Sequence, residues 1–210
     1  MPADSSADIS PFRSREERAT ERERKREAVL RAAVTAFNAK SFETASLDDV
    51  ATSLKISKPT IYHYLGNKEQ VLLECVMRGV HLLQTAADKA EQSPGTGLER
   101  LRRFLCQYAE INMDDFGRCV IRTNDDALSD EGRRRFREVK RAIDQSLRAL
   151  LTAGIADGSI AAVDVKIAAF TLAGALNWPA RWHDPNGPLS AAEAAAAMVD
   201  ILIGGIAPRT

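Results

Sequence analysis

The sequence predicts an all-α protein in two parts, a three-helix head built around a helix-turn-helix and a larger helical body. Three observations carry this expectation. Apolar residues recur at i, i+3, i+4 and i+7 in successive segments, the period of a helix that buries one face. Helix-start signals precede those segments, with Asn67 three residues before Gln70 and Ser190 three before Glu193. No convincing strand pattern of alternating apolar and polar residues interrupts them.

Residues 1–18 hold Pro, Ser, Asp and scattered charge without periodicity, and read as a disordered arm. The arm grades into a charged run with eight basic residues between Arg13 and Arg31. The first helix carries Val29, Ala32, Ala33, Ala36 and Phe37 on one face and ends near Lys40. A short second helix places Leu47, Val50, Ala51 and Leu54 on one stripe, with Ser46 as its N-cap and Asp48 and Asp49 in the first turn. Leu54-Lys55-Ile56 is the turn, and Ser57 caps the third helix. Pro59 costs that helix no hydrogen bond, because first-turn amides have no intrahelical partner. The outward side of the third helix is polar: Lys58, Thr60, Tyr62, His63 and Tyr64. A helix this short does not build a core, but it fits a DNA major groove.

Asn67 opens a long fourth helix from Lys68 to about Glu91, and Gln92 to Gly97 breaks the chain. A fifth helix runs from Leu98 to about Asn112, with Leu101, Leu105, Tyr108 and Ile111 inward, and Phe116 to Arg122 forms a shorter element. Asp130-Glu131 starts another helix, whose Phe136, Val139, Ile143, Leu147, Leu150 and Leu151 repeat at helical spacing until Gly154. From Val163 to about Ala180 the chain is apolar nearly all round, so both sides must be covered. Ser190 caps the final helix, which carries Met198, Val199, Leu202, Ile203 and Ile206. A C-terminal apolar pair with alanine-rich turns exceeds what one small domain needs for its own core, and predicts a homodimer through the last two helices.

Composition sets bounds. The 210 residues carry 29 basic and 29 acidic side chains, so overall charge does not announce a nucleic-acid binder. From Arg13 to Arg78 the count is 13 basic to 10 acidic, and from Gly79 onward 16 to 17, a mildly basic front on a neutral back. Cys75, Cys106 and Cys119 are odd in number and fall within helices, which suits reduced, buried thiols better than a disulfide frame or a redox sensor. The polar N-terminus has no apolar signal core. The longest uncharged run, Ile167 to Ala180, is 14 residues, short of the roughly 20 that span a bilayer. A cytoplasmic protein without a membrane partner is expected. No P-loop, G-x-G-x-x-G, H-E-x-x-H or G-x-S-x-G is present, so neither an enzyme nor a cofactor is expected. The three histidines lack ligand spacing, so no metal is expected either.

The run from Arg24 to Val76 resembles the TetR family of transcriptional repressors. The residues that carry the resemblance are Phe37, Thr44, Leu47-Asp48-Asp49-Val50-Ala51, Ile56-Ser57, Thr60-Ile61-Tyr62-His63-Tyr64 and Asn67-Lys68-Glu69 with Leu72. Two positions depart from the family pattern. The turn residue is Lys55 rather than Gly, at a strain of about 1 kcal/mol if left-handed. Leu65 stands where an aromatic is usual. The resemblance implies a DNA-binding head over residues 19–66 and a ligand-binding and dimerisation domain over residues 67–210. It implies a homodimer on a palindromic double-stranded operator, released by a small inducer.

The resemblance carries DNA contacts to Lys58, Thr60, Tyr62, His63 and Tyr64, with one tyrosine meeting a phosphate and the other packing between helices. Thr44, Ser46 and Lys68 would grip the backbone, and Lys55 and Ser57, which flank the recognition helix, are expected to contact DNA as well. Arg13, Arg15 or Arg18 either follow the DNA or belong to a solvated helix face. In the body, Phe104, Tyr108, Phe116, Phe136, Phe170 and Trp178 either line an apolar ligand pocket or form plain core. Few ionisable groups interrupt the apolar stretches, which favours a lipophilic inducer. The tail Gly174 to Ser190 resembles a TetR branch that regulates fatty-acid and sterol breakdown through acyl-CoA thioesters. There Asn177, Trp178 and Arg181 would meet the ligand; the alternative is that the tryptophans pack at the dimer interface. A constitutive or architectural DNA binder is the competing class, and it leaves the large body unexplained.

Overall fold

The computed structural model describes residues 14–204, and among these every regular element is a helix. Helix α1 (Arg15–Lys40) starts four residues earlier than the sequence suggests. Ser14 Oγ accepts from the Glu17 amide at 3.0 Å while Glu17 reaches back to the Ser14 amide at 2.7 Å, a capping box inside the stretch read as arm. The rest of that arm, with Arg13, lies outside the described residues. Leu30 and Val34 are buried beside Val29, Ala33 and Phe37, while Ala32 and Ala36 are only partly covered. The apolar face is broader than a single stripe because α1 is packed from two directions.

Helices α2 (Leu47–Leu54) and α3 (Lys58–Leu65) complete the head against α1. Helix α4 (Lys68–Glu91) begins beneath the head and continues into the body, where it packs on α5 (Gly97–Met113), α6 (Asp115–Arg122) and α7 (Asp130–Ala156). The Asn67–Gln70 capping box that opens it is complete, at 2.8 and 2.9 Å. The first amides of α5 are satisfied from the far end of α7. Asp157 accepts from Gly97 at 2.6 Å and Ser159 Oγ from Leu98 at 3.0 Å. There α5 and α7 approach so closely that a Cβ on Gly97 would lie 2.3 Å from the Gly154 backbone.

Helix α8 (Val165–Asn177) stops where Pro179 removes a backbone donor, and the one-turn α9 (Pro179–Trp182) follows. The long apolar run is thus two elements. Helix α10 (Ala191–Gly204) packs mainly on α5; Ile206 lies outside the described residues. One side of α8 and α10 is bare within the protomer. Ile167, Phe170, Trp178, Trp182, Leu189 and Ile201 are exposed, Trp178 at 61% and Ile201 at 78%. This many large apolar side chains left exposed on neighbouring elements mark a surface made to be covered.

Cys75 and Cys119 are buried free thiols, and burial pushes Cys119 up to about 11 and Cys75 well above its ordinary value. Neither is a reactive thiolate at neutral pH. No described helix is long and apolar enough to cross a membrane.

Candidate nucleic-acid interface

The recognition surface begins with the turn between α2 and α3. Ser46 Oγ accepts from the Asp48 amide at 3.0 Å and starts α2, whose Leu47, Val50 and Ala51 are buried. Lys55 then takes the left-handed conformation, φ 55° and ψ 40°. Its amide returns to Ala51 and Thr52, and the Ile56 amide reaches the Ala51 carbonyl at 3.0 Å, which closes the helix end. The turn needs this backbone whichever side chain occupies it.

Helix α3 is held by two side chains. Ile61 and Leu65 are buried one turn apart, so the opposite face looks outward. Ser57 stands at the N-cap, but its hydroxyl makes no cap bond and pairs with Thr60 Oγ1 at 2.8 Å. Pro59 explains this, since it sits where the N2 amide would be donated, and the Thr60 amide is already taken by the Ser57 carbonyl.

The outward face separates the predicted contacts. Tyr62 and His63 are exposed, Tyr62 at 46%. Tyr64 is partly buried, edge-on to His63 with ring centroids 5.3 Å apart, so Tyr62 is the projecting tyrosine and Tyr64 the packed one. Thr60 is half-buried. Lys58 Nζ lies 2.8 Å from Asp48 Oδ2, a contact that raises the lysine's pKa and ties α3 back to α2. Lys68 Nζ donates to the Glu43 carbonyl at 3.2 Å and sits 4.6 Å over the Phe42 ring, bracing the α1–α2 connection. Thr44 is exposed and donates its hydroxyl to the Lys40 carbonyl.

The first helix contributes residues the sequence did not single out. Arg22 and Lys25 join Arg18 along α1 and share shallow clefts with His63 and Tyr64. Glu21 is paired with Arg24 at 3.0 Å and Lys25 at 3.3 Å, whereas Arg15, Arg18 and Arg22 form no ion pair among the described residues. A charge run in sequence becomes, once helical, a face whose acids are partly neutralised and whose arginines flank the recognition helix.

Head and body are joined by polar contacts between α1, α6 and the start of α7. Asp115 accepts from Thr35 Oγ1 at 2.9 Å and, through its carbonyl, from Asn38 Nδ2 at 2.8 Å. Arg122 donates to the Asn38 carbonyl at 2.7 Å, and the Ser129 amide donates to Glu69 at 2.6 Å. Arg31 stacks over Phe116 at 5.5 Å. Any displacement of α6 is therefore felt by the helix that carries the head.

Three of the predicted ligand residues meet, the Phe104 and Tyr108 rings lying 5.6 Å apart and Tyr108 bonding Asn177, and they meet in the core. Phe104, Tyr108, Phe116 and Phe136 are buried in the hydrophobic core, packed against its aliphatic side chains. Asn177 accepts from Tyr108 Oη at 2.8 Å and from Asn112 Nδ2 at 3.1 Å, a buried polar knot the sequence reading missed in Asn112. Phe170 and Trp178 are on the protomer surface, with Arg148 5.4 Å over the Phe170 ring. Arg181 is elsewhere again, on the cleft between body and head. Helical spacing marks the buried side of each helix, and that side met core rather than a cavity.

Residues 29–75 match the family of bacterial regulatory proteins, TetR family, and residues 94–206 match the tetracyclin repressor-like C-terminal domain family. Among curated proteins, the chain is similar to the HTH-type transcriptional repressor KstR2 of Mycolicibacterium smegmatis. The two are 24% identical over 192 residues, 87% of this chain and 90% of that one. Of solved structures, it is similar to the TetR-family regulator PfmR of Thermus thermophilus, at 31% identity and TM-score 0.76 over 84% of this chain and 97% of PfmR. It shares its fold with AibR, solved in complex with isovaleryl coenzyme A and operator DNA, at 23% identity and TM-score 0.74 over 84% and 97%.

Proposed function

We propose, from the premise that this chain belongs to the TetR family of bacterial regulatory proteins, that it is a homodimeric repressor released from a palindromic operator by a lipophilic inducer. The family is one of transcriptional regulators, not of enzymes. The observation that carries the reading is α3, whose Ile61 and Leu65 are locked in the core while Lys58, Thr60, Tyr62 and His63 face outward. Such a face is positioned to meet a partner outside the protomer. Thr60 suits a thymine methyl or base edge, Tyr62 and His63 suit phosphates or base edges, and Arg18 and Arg22 suit the flanking backbone. Lys58 would exchange Asp48 for guanine or phosphate, a trade between exposed charges that costs little. Lys68, Thr44, Ser46, Lys55 and Ser57 hold or flank the backbone-facing rim.

Residues 19–66 are the operator-reading part and residues 67–210 the sensing and pairing part in this reading. The bare apolar face of α8 and α10 supports pairing across a two-fold axis, which places two heads on half-sites about one helical turn apart. The inducer is an acyl-CoA thioester. Support comes from the exposed Phe170, Trp178 and Trp182 near the prospective interface, where an acyl chain and an adenine find apolar faces. Relatives are in keeping, since AibR was solved with isovaleryl coenzyme A and operator DNA and KstR2 is a repressor. The close-packed body core favours a second reading, a constitutive DNA binder without an inducer.

Fluorescence anisotropy on the DNA upstream of its own gene, against a scrambled duplex at two salt concentrations, tests the repressor. Repeating it with long-chain acyl-CoA tests the inducer. Selective binding abolished by the thioester supports both, and selective binding indifferent to it leaves the constitutive reading.

A further inference from the structure

We propose that the cleft between head and body is a binding site for a phosphate-bearing small molecule, gripped by Arg122 and Arg181. The cleft has a volume of about 520 Å³, within the range that takes a nucleotide-sized ligand. Its head wall is the end of α1 and the connection to α2, with Asn38, Phe42 and Glu43. Its body wall is the end of α6 and the turn after it, with Arg181 of α9 beside them.

Among the described residues the charge there is unbalanced. Burial, and then the neighbouring positive charges of Arg118 and Arg181, push the Arg122 guanidinium below its ordinary value. None of the three arginines has a carboxylate partner among the described residues. Arg118 donates to the Met113 and His183 carbonyls at 3.0 Å, and its buried Nε has no partner. Arg122 spends one nitrogen on the Asn38 carbonyl at 2.7 Å, and the Arg181 side chain makes no hydrogen bond to any described residue. The other charges facing the cleft do not cancel this excess. Lys40, on the lining, is taken by Asp49 at 2.8 Å, and Asp115, which is not part of the lining, is held by Thr35 and Asn38. Glu43 lies on the opposite wall, its carboxyl held below the usual range by its own amide, Ser41 and Lys68.

Clustered guanidiniums without counter-charge repel one another, and a dianion between them removes that repulsion. Phosphate is the matching group, because guanidinium forks bond its oxygens in pairs. The Phe37 and Phe42 side chains line the same cleft and offer an apolar wall to whatever the phosphate is attached to. Two sources share this chemistry, the phosphorylated end of a coenzyme A thioester and a free nucleotide. The site stands on the cleft's own charge and does not depend on the thioester being the inducer.

Regulation follows from where the cleft lies. Arg122 is a link between α6 and α1, so a phosphate that competes for its guanidinium loosens the body's hold on the head. Operator affinity and phosphate affinity are then coupled, each lowering the other by the same factor.

Calorimetric titration of the full chain with adenosine 3′,5′-bisphosphate and, separately, with coenzyme A tests the proposal. The wild type is expected to bind, with Arg181→Gln weakening binding about tenfold or more, the loss of charge-assisted hydrogen bonds. Arg181→Lys keeps the charge and retains part of the affinity, and Glu43→Gln tightens binding by removing a negative charge from the wall. Arg181→Gln should melt no lower than wild type without ligand, because it relieves repulsion. Coenzyme A bound more tightly than the bisphosphate points to the thioester, bisphosphate bound at least as tightly as coenzyme A points to the nucleotide source, and in either case the affinity falls in Arg181→Gln. Equal binding to wild type and Arg181→Gln, or no binding of either probe at millimolar concentration, overturns the site. Failure of acyl-CoA to release DNA bears on the inducer reading and leaves the bisphosphate arm independent of it.

Discussion

Ile61 and Tyr62 are neighbours in the chain and opposites in space, so truncating each to alanine separates folding from recognition. Ile61 is 0% exposed in the head core, and Tyr62 is 46% exposed. Ile61→Ala deletes three buried carbons, about 2.4 kcal/mol of transfer free energy at about 0.8 per carbon. The cavity left behind brings the loss to about 3–4 kcal/mol. For a chain of this size that lowers the melting temperature by roughly 6–16 °C. Tyr62→Ala removes a surface side chain, and its stability should stay within about 0.5 kcal/mol of wild type. Operator affinity should instead fall by about 1–3 kcal/mol, roughly fivefold to 150-fold. Thermal denaturation and operator anisotropy on the same preparations read both quantities. A Tyr62→Ala protein that melts as early as Ile61→Ala, or that binds operator like wild type, would refute the assignment of α3's two faces.

Three further outcomes are expected. Ile201→Glu places a charge in the bare α8–α10 face and should turn a dimer into a monomer in analytical ultracentrifugation; an unchanged dimer mass rejects that face as the interface. Gly97→Ala forces a Cβ to within 2.3 Å of the Gly154 backbone where α5 crosses α7. It should cost about 1–3 kcal/mol in chemical denaturation, and a neutral result would mean that the crossing is looser than described. Hydrogen bonds from the Ser129 hydroxyl and amide hold the Glu69 carboxyl below its ordinary value of 4.5. A depressed carboxyl stabilises the fold above its unfolded pKa, and that contribution is lost as pH falls through the folded value. Glu69→Gln should therefore flatten the acid limb of the stability curve below about pH 4.5, and a limb parallel to wild type would contradict the latch.

Local signals were legible where the chemistry is local. Asn67 and Gln70 mark a helix start because both partners of that capping box lie within one turn, and Lys55 occupies the left-handed turn the pattern demanded. Ser57 failed as a side-chain cap because the same local rules conflict there, Pro59 having removed an amide it would have used. The start of α1 was missed by four residues because the charges of Arg15 to Arg18 hide a periodic helix, and only the Ser14–Glu17 box reveals it. In the candidate site, the polar face of α3 was readable from spacing, but the choice of Tyr62 over Tyr64 was not. Both tyrosines stand on the same short helix, and α1 covers only one of them.

The sequence by itself determined the helix periods, the capping boxes at Asn67 and Ser190, the helix-turn-helix and the family, because each rests on residues within a few positions of one another. Tertiary structure alone decided which aromatics are core, that Phe170 and Trp178 face outward, and that Arg181 joins Arg122 across from the head instead of standing with the tryptophans. The physical reason is that periodicity says which side of a helix is apolar and nothing about what lies opposite. Core, cavity and partner surface present the same pattern, and only the packing of α4 and α6 against α1, with α9 on α6, tells them apart.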